Sequence, residues 1–135
     1  MSRPTRVLFV CRHNAGRSQL AAALLRARAR ERLSVSSAGI EPAATINPVA
    51  ATALLERGIN IDDQVPRRLT PHDVEQADVV VSLVPGLALE VPGSADLEEW
   101  DLPDPAAWNL KHIRDLIEVI DARVEALTLR LTQAQ

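Results

Sequence analysis

Val7-Leu8-Phe9-Val10 is an unbroken apolar run, followed at once by Cys11 and a polar, glycine-bearing stretch. A strand with one face in water alternates apolar and polar residues, whereas a continuous run fits a strand covered on both faces. Residues 78–84, with three consecutive valines, make the same demand later in the chain. Helical signals separate these runs. Residues 19–32 read as a helix with Leu20, Leu24 and Leu25 on one face and Arg26, Arg28, Arg30 and Arg32 largely off it. A second strand is expected over 33–37, closed by Ala38-Gly39. Asn47-Pro48 can open a helix that Gly58 closes, and Thr70-Pro71-His72-Asp73 opens another. A short last strand is expected over 98–102. Ile113, Leu116, Ile117, Ile120, Val124, Leu127 and Leu131 then form one apolar stripe of a long final helix. Strands alternating with helices imply a parallel sheet covered on both faces, with the ligand beyond the carboxyl ends of the strands. Cys11 stands at that edge. The 135 residues fit one domain, 1–135, without repeats or linkers.

The net charge of −3 gives no support for binding nucleic acid or a membrane surface, so any anion site must be local. No segment reads as a signal-peptide core or a membrane span. The single cysteine excludes an intrachain disulfide and fits a reducing cytoplasm. No metal site is expected.

Cys11-Arg12-His13-Asn14-Ala15-Gly16-Arg17-Ser18 carries the chemistry. Between a strand and a helix, successive backbone N–H groups of residues 12–16 can curl around one tetrahedral anion, aided by the helix N-terminus. Arg17 offers a planar fork for two of its oxygens. The positive field favours the thiolate of Cys11, the form that attacks. Ser18 can donate to that sulfur. Asn14 can brace the loop in left-handed backbone, and Gly16 lets the main chain approach the anion. His13 fits a structural hydrogen bond as well as a chemical role, and Arg12 adds charge at the rim. Asp104-Pro105 is by itself a turn signal, but it follows the last expected strand, where a loop would overhang the first. Asp104 can then protonate a leaving oxygen, with Asp101 as competitor. Trp100 and Trp108 flank this segment, each more readily packing than a substrate platform.

These residues resemble the low-molecular-weight protein tyrosine phosphatase superfamily, and more closely its arsenate reductase branch. The resemblance rests on residues 7–11, His13-Asn14, Gly16-Arg17-Ser18-Gln19, Ser37-Ala38-Gly39, Asn47-Pro48, Gly58-Ile59, Arg67-Arg68-Leu69-Thr70, Asp78-Val79-Val80, and Trp100 through Asp104-Pro105. It implies a three-layer α/β/α fold with a four-stranded parallel sheet. It also implies Cys11 as nucleophile, Arg17 as oxyanion clamp, Ser18 as thiolate stabiliser and Asp104 as general acid.

The chain departs from the pattern in three ways. Family tyrosine phosphatases usually carry tyrosine after the Asp-Pro, whereas Ala106-Ala107 follows here and the chain has no tyrosine. Thioredoxin-coupled arsenate reductases carry two more cysteines after the third main strand; residues 82–93 have none. Arg12 stands where a small or apolar residue is expected. With an intramolecular disulfide relay excluded, the resemblance implies arsenate reduction with an external low-molecular-weight thiol (mycothiol, glutathione or bacillithiol) and a redoxin, with no bound cofactor. A phosphatase acting on phosphate monoesters or phosphotyrosine is the alternative. A non-enzymatic oxyanion-binding module is a third reading, disfavoured because binding alone needs neither nucleophile nor acid.

Overall fold

The structure is a computed structural model and describes residues 3–87, 89–103 and 107–133. Four parallel strands, β1 (Thr5–Cys11), β2 (Leu33–Gly39), β3 (Val79–Ser82) and β4 (Asp96–Glu99), lie in the order β2-β1-β3-β4. The helices are α1 (Arg17–Ala29), α2 (Pro48–Leu55), α3 (Pro71–Gln76) and α4 (Leu110–Gln133). Both apolar runs occupy central strands. Val7, Phe9, Val79 and Val81 pack on α1, α2 and α4, while Leu8, Val10 and Val80 pack on Val74 of α3 and on Leu87, Leu89 and Val91. The covering is unequal: three helices on one face, a short helix and an extended segment on the other.

Local sequence explains most of the boundaries. Asn47 caps α2 by accepting the Val49 N–H at 2.9 Å. Thr70 and Asp73 cap α3 reciprocally. The stripe from Ile113 to Leu127 is buried, and each such aliphatic side chain contributes about 1.5–3 kcal/mol to docking α4. Two expectations shift. The first helix starts at Arg17 and ends at Ala29, giving way to a 3-10 turn over Arg30–Arg32 with Arg30 at φ 53°. The last strand is two to three residues earlier than expected, because register with β3 pairs Val79 with Asp96 and Ser82 with Glu99. β4 is a charged edge strand, and the apolar residues that signalled it, Trp100 and Leu102, are buried just beyond its end. Trp100 meets Phe9 edge-on with ring centroids 5.6 Å apart.

This arrangement sets the site. Cys11 ends β1 directly beside Gly39, the end of β2, and α1 begins six residues later.

Candidate functional site

The loop between Cys11 and α1 is held from outside by its carbonyls. Those of Cys11, Arg12, His13 and Ala15 accept the N–H groups of Ile40, Glu41, Ala43 and Asn47 at 3.2, 2.8, 3.0 and 2.9 Å. The Asn14 carbonyl accepts Gln19 Nε2 at 3.0 Å. In a trans peptide the following N–H points away from the carbonyl. The N–H groups of residues 12–16 are therefore turned from these partners. Asn14 N–H, donating to Cys11 Sγ at 3.2 Å, identifies the side they turn to as the sulfur's. The result is a row of backbone donors beside a nearly buried sulfur, at the N-terminus of a 13-residue helix. Such a concavity suits an oxyanion.

Asn14 holds this curl. It lies at φ 51° and is fully buried. Its Nδ2 donates to Ser18 Oγ at 2.8 Å and Ser37 Oγ at 3.0 Å, and its Oδ1 accepts Arg67 N–H at 3.0 Å. The first of these bonds assigns a direction to another. Ser18 Oγ accepts from Asn14, so its own proton is free to point at Cys11 Sγ, 2.8 Å away. Two donors then converge on the sulfur, which stands as their shared acceptor. The Arg67 side is anchored in turn by its 2.9 Å ion pair with Asp73. Burial pushes the Asp73 carboxyl up, but hydrogen bonds from Arg67 and from Thr70 outweigh it and keep the group below the ordinary carboxylate value.

Close backbone approach explains two glycines. A Cβ on Gly39 would stand 2.9 Å from Arg12 O, Asn14 N and Asn14 Cβ. A Cβ on Gly16 would stand 2.5 Å from Trp108 Cη2. Gly16 thus admits an aromatic ring, a reason additional to the approach of an anion.

The expected site residues fall into three groups. Cys11, Asn14 and Ser18 come together as a buried, bonded set. Arg17 opens α1 half-buried, and Ala15 and Gly16 lie in the curl just before it. Arg12 and His13 contribute backbone to the curl while their side chains reach residue 41: Arg12 Nη1 pairs with Glu41 Oε1 at 3.0 Å and His13 Nδ1 meets the Glu41 carbonyl at 3.0 Å. Asp104 and Pro105 lie outside the described residues. Asp101 is exposed, after β4. Reasoning from the residues overlooked Ser37, Gly39, Gln19 and Arg67 as parts of the site, and took Trp108 more readily for packing. Gly39 alone carried a usable signal, a glycine ending the second strand.

Among the described residues no three His, Cys, Asp or Glu side chains cluster as metal ligands, and no helix is long and apolar enough to cross a membrane. An open groove of about 530 Å³ lies between α3 and residues 90–92. It contains none of residues 11–18, and Glu75 and Glu90 in its lining repel an oxyanion.

Fold and site together define a class: a parallel α/β protein whose first strand delivers a cysteine into a backbone cradle of a shape that suits a tetrahedral anion. Over residues 6–135 the chain matches the low molecular weight phosphotyrosine protein phosphatase family, and it belongs to that family. It is 29% identical over 131 residues to the glutaredoxin arsenate reductase of Synechocystis sp., covering 94% of this chain and 98% of that one. It is 35% identical over 109 residues to the arsenate reductase of Bacillus licheniformis, covering 78% and 77% respectively. The solved structure of a Corynebacterium glutamicum thioredoxin-dependent arsenate reductase superposes with a TM-score of 0.89 at 36% identity. That match covers 99% of this chain, which spans 65% of the length of the Corynebacterium chain. These relatives put the chain in the arsenate reductase branch of the family.

Proposed function

We propose that this chain is an arsenate reductase of the arsenate–thiol transferase kind, working in a reducing cytoplasm. Arsenate would sit on the N–H groups of residues 12–16, clamped by Arg17. The Cys11 thiolate attacks arsenic, forming a sulfur–arsenic bond, and one arsenate oxygen leaves as water with a proton from Asp104. An external thiol, as thiolate, then attacks the same arsenic. Its sulfur–arsenic bond forms as that of Cys11 breaks, and the Cys11 thiolate is restored. Arsenic is still pentavalent at this point. A redoxin thiolate next attacks the sulfur of the thiol–arsenate adduct. A disulfide forms, the bonding pair passes to arsenic, and arsenite leaves.

One observation carries the reading: the only cysteine of the chain receives Asn14 N–H at 3.2 Å and faces Ser18 Oγ at 2.8 Å, with no second thiol to form a disulfide. Reduction of arsenate takes two electrons and Cys11 ends as a free thiolate, so both sulfurs of the disulfide, the small thiol's and the redoxin's, come from outside the chain. The same cradle fits phosphate, so weak hydrolysis of aryl phosphates should accompany the main activity. The test is arsenite production with glutathione, mycothiol or bacillithiol, each with its redoxin, against thioredoxin and its reductase alone. Turnover is expected only with one of the small thiols. Steady arsenite formation with thioredoxin alone refutes the mechanism, and brisk aryl phosphate hydrolysis without any arsenite makes the chain a phosphatase.

A further inference from the structure

Trp108 packs the edge of its ring against the anion cradle. It precedes α4, whose first turn is capped by Asn109: Asn109 Oδ1 accepts the His112 N–H at 3.0 Å and meets His112 Nδ1 at 2.8 Å, and Ile113 N–H bonds to the Asn109 carbonyl at 3.0 Å. That helix is fixed by its buried stripe. Trp108 is therefore mounted on a rigid base. The outer edge of its ring, Cη2, Cζ2 and Cζ3, lies against Gly16. Gly16 is the last residue of the anion cradle, and any side chain there would lift the ring away. Yet 37% of Trp108 stays exposed, unlike Trp100, which is 4% exposed. An indole with one edge on the last residue of the cradle and much of its surface in water forms an open aromatic wall beside that residue. The two ends of the cradle thus have different neighbours, the Arg12–Glu41 ion pair at its start and the aromatic ring at Gly16.

We propose that Trp108 is the residue that selects the second substrate, by packing its open indole surface against the carbon skeleton of the thiol that attacks the arsenic bound at Cys11. The proposal rests on the arsenate–thiol reading above. A thiol approaching the cradle carries its organic body outward, and the indole is an exposed apolar surface beside the cradle's last residue. Aromatic packing of this kind distinguishes thiols by the shape of what is attached to the sulfur, while the N–H cradle distinguishes only the anion.

Three measurements on wild type, Trp108→Phe and Trp108→Ala test it. In Trp108→Ala the KM for the thiol should rise about five- to twentyfold, the size expected for losing one aromatic contact. The phosphate concentration that protects Cys11 from alkylation should change less than about twofold, because the anion cradle is untouched. Trp108→Phe should recover most of the thiol KM. Separately, the S-methyl forms of glutathione, mycothiol and bacillithiol, which cannot react, should be titrated in the presence of phosphate. The form that binds should change wild-type tryptophan emission, and that change should be absent in Trp108→Phe, where only buried Trp100 remains. Turnover with an unaltered thiol KM in Trp108→Ala overturns the inference alone, as does an equal loss of phosphate protection, which marks the ring as a structural prop. Absence of arsenite with every thiol, with the emission change intact, overturns the arsenate–thiol reading and leaves the wall standing. Absence of both overturns both.

Discussion

Gly39→Ala offers a sharp test of how the cradle is held. Three atoms, Arg12 O, Asn14 N and Asn14 Cβ, would each lie 2.9 Å from the new methyl carbon. That is about half an ångström inside ordinary van der Waals contact. None of the three is the far end of a flexible side chain, so none can move alone. Asn14 is tied to Ser18, Ser37, Arg67 and Cys11, and the Arg12 carbonyl is tied to Glu41. The loop and the end of β2 must therefore separate by a few tenths of an ångström as units. Overpacking of this kind costs about 1–3 kcal/mol, which in a domain of this size lowers Tm by roughly 3–10 °C. The functional cost should be larger in proportion. Displacing a reacting group by a fraction of an ångström costs on the order of ten- to a hundredfold in turnover, and Asn14 carries two of the contacts that aim Cys11 and Ser18. The assay is thermal melting together with phosphate protection of Cys11 against alkylation. Gly93→Ala is the control, since a Cβ there meets nothing within 4 Å. If Gly39→Ala melts and protects like wild type, the loop does not pack against β2 as described.

Other outcomes follow from the same geometry. Asn14→Ala removes three side-chain hydrogen bonds from a buried residue at φ 51°. At about 1 kcal/mol each, plus the cost of alanine in left-handed backbone, the loss should be roughly 3–5 kcal/mol by denaturant unfolding. Arg17→Lys keeps charge but loses the two-point fork, so turnover should fall at least about a hundredfold with a near-normal melting curve; normal turnover would mean that Arg17 is not the clamp. Asp104→Asn should slow substrates with poor leaving groups more than those with good ones, and more than Asp101→Asn does; the reverse order would make Asp101 the acid. Asp121 on α4 is held below its ordinary value of 3.8, first by the hydrogen bond from Arg28, with Arg57 adding to it and burial opposing. Its folded value is depressed, so its stabilisation is full above the unfolded carboxyl's range and is lost as pH falls through the folded value. Asp121→Asn should therefore flatten the loss of stability below about pH 4, and an unchanged acid limb in urea melts would show that the pair contributes nothing.

The strands and helices were legible because their signals are local or periodic. Two apolar runs required a sheet covered on both faces, Asn47-Pro48 and Thr70-Asp73 announced caps, and the stripe from Ile113 to Leu127 required a buried helix face. The cradle was legible for the same reason, since six consecutive residues between strand and helix supply both donors and sulfur. The position of β4 was not. An edge strand of charged residues has no signal of its own, and its register is set by β3, so the buried Trp100 and Leu102 drew the expectation past its end.

What the sequence by itself determined is the alternation of elements, the place of Cys11 and its loop between the first strand and the first helix, and that the one cysteine cannot close an intrachain disulfide. What the tertiary structure alone decided is how that cradle is braced and which ring packs on its last residue. Ser37, Gly39 and Arg67 come from 23 to 56 positions beyond Asn14 and Cys11, and Trp108 from 92 beyond Gly16. No spacing rule connects such residues. They meet because parallel pairing puts the end of β2 beside Cys11, and because docking of α4 on α1 brings the segment before it to the start of α1.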